Sequence, residues 1–297
     1  MSGSCLTHVK LCSILFCGDY FIKMQQLASH MNNDEQQKAI ALNEKISHAI
    51  LIFLLLVRLV DEDLAVWIFG ANVPTWVPYW YNGISYMLTA AIVWLNRHRL
   101  AAVNIDRPFL AALILGGGLF AFRLTPVIGV LVGITAGLIY WAYINNQFTF
   151  QNAGSYSRGT GLLILFSILL ALAPVILFPS TLKTPLNYQA FIATFLAILI
   201  SQLGLIAFEE VIFRGGLWAY LRSLGLSEQT AFLVQAFLFW ISHHRLLLLD
   251  KIYSFWIAGP CIAILLGLLA WRSKSLTPST ISHFLFNFIS QLLLAIY

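Results

Sequence analysis

From residue 47 to the end of the chain, apolar stretches follow one another, each close to the 17–25 residues that carry a helix across a bilayer. They run near 47–69, 76–96, 108–122, 124–144, 160–178, 188–208, 228–244, 254–272 and 278–297. Only 10% of the residues are charged, against about 25% in a soluble domain, so the chain has too little charge to cover its own surface in water. The expected fold is all-α, a polytopic transmembrane bundle of eight or nine helices with an intramembrane active site.

Two stretches leave the count open. The first is interrupted by Arg58 and by Asp61, Glu62 and Asp63, so part of it is a candidate for the membrane interface. The block 108–144 reads either as two short spans broken at "RLTP" (123–126) or as one span with a re-entrant piece. The basic residues are scattered through short loops, which excludes a nucleic-acid-binding surface and informs orientation instead. With nine spans, Arg97, Arg99, Arg107, Arg158, Arg222 and Arg272 fall on the same side as the N-terminus, which predicts a cytoplasmic N-terminus. Residues 1–45 read as an N-terminal tail, without the cleavage site of a signal peptide and with Cys5, Cys12 and Cys17 outside any zinc-ligand spacing.

The chemistry is unevenly distributed. Residues 46–180 are nearly pure span material, with an aromatic belt "WVPYWY" (76–81), and read as scaffold helices. From 188 to 297, polar groups appear inside the spans, and an ionisable group at membrane depth is a candidate functional residue. In "AFEEVIFRGG" (207–216), Glu210 and Arg214 are four apart and can pair on one helical face. Glu209 is turned about 100° away and lacks that partner.

Ser227 is placed to cap a helix "EQTAFLVQAFLFWISHH", which returns antiparallel to the helix carrying Glu209. At 1.5 Å per residue, Glu209 stands about 20 Å above the intervening turn and His243 about 24 Å, so the two share a level. Phe239, one turn before His243, is positioned to wall the pocket. In the last helix, which Pro278 suits in its first turn, His283 and Asn287 share a face. A carboxylate with an imidazole suits water activation, and a His with an Asn supplies hydrogen-bond donors for an oxyanion. Glu209, His243 and His283 also have the identities of a three-residue zinc site. Metal-free catalysis is the expectation and zinc the alternative, because donors such as Asn287 are less needed where a metal polarises the carbonyl.

The segments "EEVIFR" (209–214), "FWISH" (239–243) and "HFLFN" (283–287) resemble the motifs EExxxR, FxxxH and HxxxN of the CPBP family, the CAAX-processing and bacteriocin-processing intramembrane endopeptidases. The resemblance covers roughly 188–290. It implies a glutamate-type protease with Glu209 as base, His243 as its water-positioning partner, His283 and Asn287 as oxyanion donors, and Glu210 and Arg214 as support. The implied partners are the lipid bilayer and a peptide or protein substrate, with a prenylated CaaX tail as the lipidated candidate. Two other classes are compatible with such residues: a non-catalytic membrane scaffold or bacteriocin-immunity protein, and a proton-coupled transporter, against which the lack of an inverted repeat counts.

Overall fold

The computed structural model describes residues 33–70, 72–74, 76–150, 158–177, 188–244, 246 and 252–296. Cys5, Cys12 and Cys17, and the side chains of Asp61, Glu62 and Asp63, lie outside what is described. Among the described residues the regular structure is all helical, and every stretch read as a span is a helix. The helices are α1 (Asn33–Phe69), α2 (Trp76–Leu95), α3 (Arg107–Ala121), α4 (Pro126–Ile144), α5 (Arg158–Leu177), α6 (Tyr188–Glu210), α7 (Trp218–Ser223), α8 (Glu228–Ile241), α9 (Gly259–Ser273) and α10 (Thr277–Ile296). Ile46–Tyr297 forms a compact unit, and the site described below lies within it.

The solvent for which this surface is built is lipid. Phe122 and Trp67 are 86% and 82% exposed, whereas Glu210 and Arg214 are fully buried. Outward-facing Leu115, Val127, Leu138, Leu162 and Phe237 continue the apolar exterior. A soluble protein distributes these groups the other way round. By length and composition, Gln37–Val60, Pro126–Ile144, Phe191–Ser223 and Ser254–Ser273 are long and apolar enough to cross a membrane, and Arg107–Ala121 and Arg158–Ala173 are shorter apolar helices.

The break at 123–126 is real: α3 ends at Ala121 and α4 opens at Pro126, where a proline's missing N–H costs nothing. The first helix differs from expectation. It is one continuous helix whose apolar part, Gln37–Val60, begins ten residues before the expected 47–69, so Arg58 lies near the end of that part and does not break the helix.

α6 packs against α2, α3 and α10. It approaches α3 most closely at Gly116 and Gly204, where a Cβ on Gly116 would meet the Gly204 backbone nitrogen at 2.8 Å, a contact that only glycine permits. Directly after Glu210 the helix widens into a π-turn, Val211–Leu217, before resuming as α7. Such widened turns are frequent at functional sites. Gly215 and Gly216 let neighbouring chain press on it, with Val103 O 3.0 Å and Leu51 Cδ1 3.1 Å from where their Cβ atoms would stand.

A second device fixes α10, the helix that carries His283. Asp106 caps α3 by accepting from Phe109 N at 3.1 Å, and its carboxylate also accepts from Ser275 Oγ at 2.5 Å and Thr277 Oγ1 at 2.6 Å. Next to it, Leu276 N donates to Asn104 O at 2.8 Å, while Asn104 Nδ2 donates to Arg214 O at 3.2 Å. The α2–α3 connection therefore ties the start of α10 to the π-turn. Asp106→Ala removes three accepted bonds, two of them from side-chain hydroxyls, and is expected to cost about 2–4 kcal/mol. The check is a lowered melting temperature in detergent.

Candidate active site

Helical spacing brings Glu209 and Glu210 to the end of α6, just before the π-turn, and the widening does not disturb the pair expected across it. Arg214 Nη1 lies 3.1 Å from Glu210 Oε1, with both side chains sealed from solvent. The Arg214 guanidinium also stacks on Phe239, its Cζ 3.8 Å from the ring centroid. Phe239 is thus more than a pocket wall. Its ring touches Arg214 on one side, His243 at 4.7 Å and His283 at 5.6 Å between centroids, and holds all three in place.

His283 joins the two carboxylates. Its Nδ1 is 2.8 Å from Glu210 Oε1, which accepts from it, and its Nε2 is 3.8 Å from Glu209 Oε2. Since Nδ1 carries the proton donated to Glu210, Nε2 carries a second N–H only when the ring is an imidazolium. The spacing of the motifs did not reveal this bond to Glu210.

Ser227 caps α8 as expected, its Oγ accepting from Thr230 N at 3.1 Å. The helix nevertheless stops at Ile241, three residues before the expected end, and His243 lies in the turn beyond it. The cause is local. Ser242 Oγ and His243 Nδ1 both reach back to Phe239 O, at 2.7 and 2.8 Å, and so capture a carbonyl that the next helical turn would use. A carbonyl only accepts, so His243 bears its proton on Nδ1, and Nε2 is the nitrogen left for a substrate or water.

Asn287 lies one turn further along α10 and donates through Nδ2 to Gln202 Oε1 at 3.4 Å, a long hydrogen bond. Gln202 had no place in the motif reading. It lies two turns before Glu209 on the same face of α6.

The residue that sequence reasoning missed as part of the site is Arg58. Its Nη2 lies 2.5 Å from Glu209 Oε1, across 151 positions of sequence. Glu209 was expected to be left without Arg214 as its partner; it has a cation of its own from α1. Its electrostatic partners are Arg58, His243, His283 and Arg214. The only advance signal was an arginine inside an apolar stretch, which needs a counter-charge somewhere.

Two carboxylates, two guanidiniums and two imidazoles thus converge on one buried locus. Among the described residues, no group of three His, Cys, Asp or Glu side chains is arranged to hold a metal ion. A divalent cation at Glu209 would face the positive charges of Arg58 and Arg214.

Fold and site together define an integral membrane protein whose helix bundle carries a cluster of carboxylates, guanidiniums and imidazoles in its interior. Residues 188–289 match the family model described as Rce1-like, type II CAAX prenyl endopeptidase, and this bears out the resemblance read from the three motifs. The match covers every site residue named above except Arg58. No curated protein and no solved structure matches the chain.

Proposed function

We propose that the protein is an intramembrane endopeptidase that hydrolyses a peptide bond of a membrane-associated substrate, the prenylated CaaX tail being the substrate class, with water activated by Glu209. The observation that carries the reading is that His283 Nε2 stands 3.8 Å from Glu209 Oε2 while His243 and His283 lie against the same Phe239 ring, all inside the segment that matches the family.

In this reading His243 holds the attacking water through Nε2, and Glu209 takes its proton as the oxygen bonds to the scissile carbonyl carbon. The carbonyl π-pair moves onto oxygen. That oxyanion receives hydrogen bonds from Nε2–H of His283 as imidazolium and from Nδ2–H of Asn287, which exchanges its long bond to Gln202 for the substrate. The intermediate collapses with cleavage of the C–N bond, and Glu209 returns its proton to the leaving amine. Glu210 and Arg214 hold His283 and Phe239 where this requires them.

Every step uses groups of this chain, and the cationic surroundings of Glu209 support catalysis without a metal. The N-terminus is placed on the cytoplasmic side from the distribution of basic loops. Purified protein in detergent, incubated with a prenylated CaaX peptide, is expected to release the tripeptide beyond the prenylated cysteine. EDTA or phenanthroline should leave the rate unchanged, and elemental analysis should find zinc well below stoichiometric. Loss of activity on chelation, restored by added zinc, would overturn the metal-free mechanism. Failure to cleave the CaaX peptide or any member of a membrane-protein peptide library would overturn the peptidase reading itself.

A further inference from the structure

α1 lies outside the matched segment, yet it is registered to the site. Among the described residues of α1, Ser47, Leu51 and Leu54 are buried, and with Arg58 they follow a spacing of four, three and four that forms one helical stripe. That stripe runs antiparallel to the helix formed by α6, the π-turn and α7. His48 meets Tyr220 with ring centroids 4.8 Å apart, Leu51 lies against Gly216, and Arg58 reaches Glu209. From Leu51 to Arg58 and from Gly216 back to Glu209 the offset is the same, so the pairing follows from the helix contact and not from a chance reach of a long side chain.

We infer that Arg58 is a positioning residue, clamping Oε1 of Glu209 so that Oε2 is the oxygen presented to His283 and to the attacking water. The two oxygens are already differentiated: Oε1 is 2.5 Å from the guanidinium, and Oε2 is 3.8 Å from His283 Nε2. The groups facing Glu209 come from four other elements: the guanidiniums of Arg58 on α1 and Arg214 in the π-turn, and the imidazoles of His243 after α8 and His283 on α10. Among the described residues, Arg58 makes the shortest contact with its carboxylate.

The inference rests on the peptidase reading, and the test separates the two. In wild-type protein cleaving the prenylated CaaX peptide, Arg58→Ala is expected to lower kcat about 100-fold, the scale of a misplaced reacting group, with KM changed by no more than a few-fold. Added guanidinium ion should restore part of the loss, and Arg58→Lys, which keeps the charge but not the planar fork, should fall between. Unchanged kcat in Arg58→Ala overturns the clamp. So does a loss that neither guanidinium nor lysine relieves, because that is the behaviour of a purely structural residue. A thermal-melting cycle of Arg58→Ala, Glu209→Ala and the double variant, in which each single change removes the contact, decides it without reference to activity. The double variant should melt above the sum of the two single shifts, and additive shifts would mean there is no clamp. A wild-type protein that cleaves nothing counts against the peptidase reading while the cycle still decides the clamp.

Discussion

Glu209→Gln protein is expected to insert and fold, to melt within a few degrees of the wild type, and to lose about 10²–10⁴-fold in kcat, the share a positioned general base contributes. The amide cannot take a proton from water, yet its oxygen still accepts from Arg58, so the contact that holds the side chain survives the substitution. Arg58 is 17% exposed, and this tempers the cost of removing its counter-charge. His243→Ala should behave in the same way, since its Nδ1 bonds only locally, to the Phe239 carbonyl and the Ser242 hydroxyl at a helix end. The measurement is turnover of a prenylated peptide beside a melting curve in the same detergent. Wild-type turnover by Glu209→Gln would remove Glu209 as the base.

Glu210→Gln and Arg214→Ala are expected to fail differently, through the fold. Both side chains are fully buried, and breaking a buried pair leaves one charge without compensation, at a cost of about 3–5 kcal/mol. The loss spreads because Glu210 also accepts from His283 and the Arg214 guanidinium stacks on Phe239. Arg214→Lys should not rescue fully, since an ammonium cannot reproduce the planar stack. Low expression and early melting, with activity falling in proportion to folded protein, is the expected result. A variant that melts normally but does not turn over would give that residue a direct chemical role and contradict the supporting one assigned here.

The helices were legible for a simple reason. In lipid each must satisfy its own backbone, so apolar length alone marks the elements, and local chemistry marks their ends: Pro126 after the break at 123–126, Ser227 as a cap, Pro278 in a first turn. The pairing of Glu210 with Arg214 was equally local, being four residues apart on one helix. The stop at Ile241 was less so. It depends on Ser242 and His243 folding back onto one carbonyl, and a side chain choosing a backbone acceptor over the next turn leaves no periodic trace.

Sequence alone determined that this chain is an all-helical membrane bundle and marked most of the polar residues that stand inside it, because periodicity and the cost of charge in lipid act along the chain. Tertiary structure decided how those residues are shared out. The π-turn after Glu210 forms where Val103, Asn104 and Leu51 press on Gly215, the Arg214 carbonyl and Gly216, contacts that come from two other helices or their connections. His283 chose Glu210 through Nδ1, and Glu209 acquired Arg58 from a helix 151 residues away. Charges in a low-dielectric interior pair with whatever opposite charge packing brings within reach, and that reach is set by helix register and crossing, which no single segment encodes.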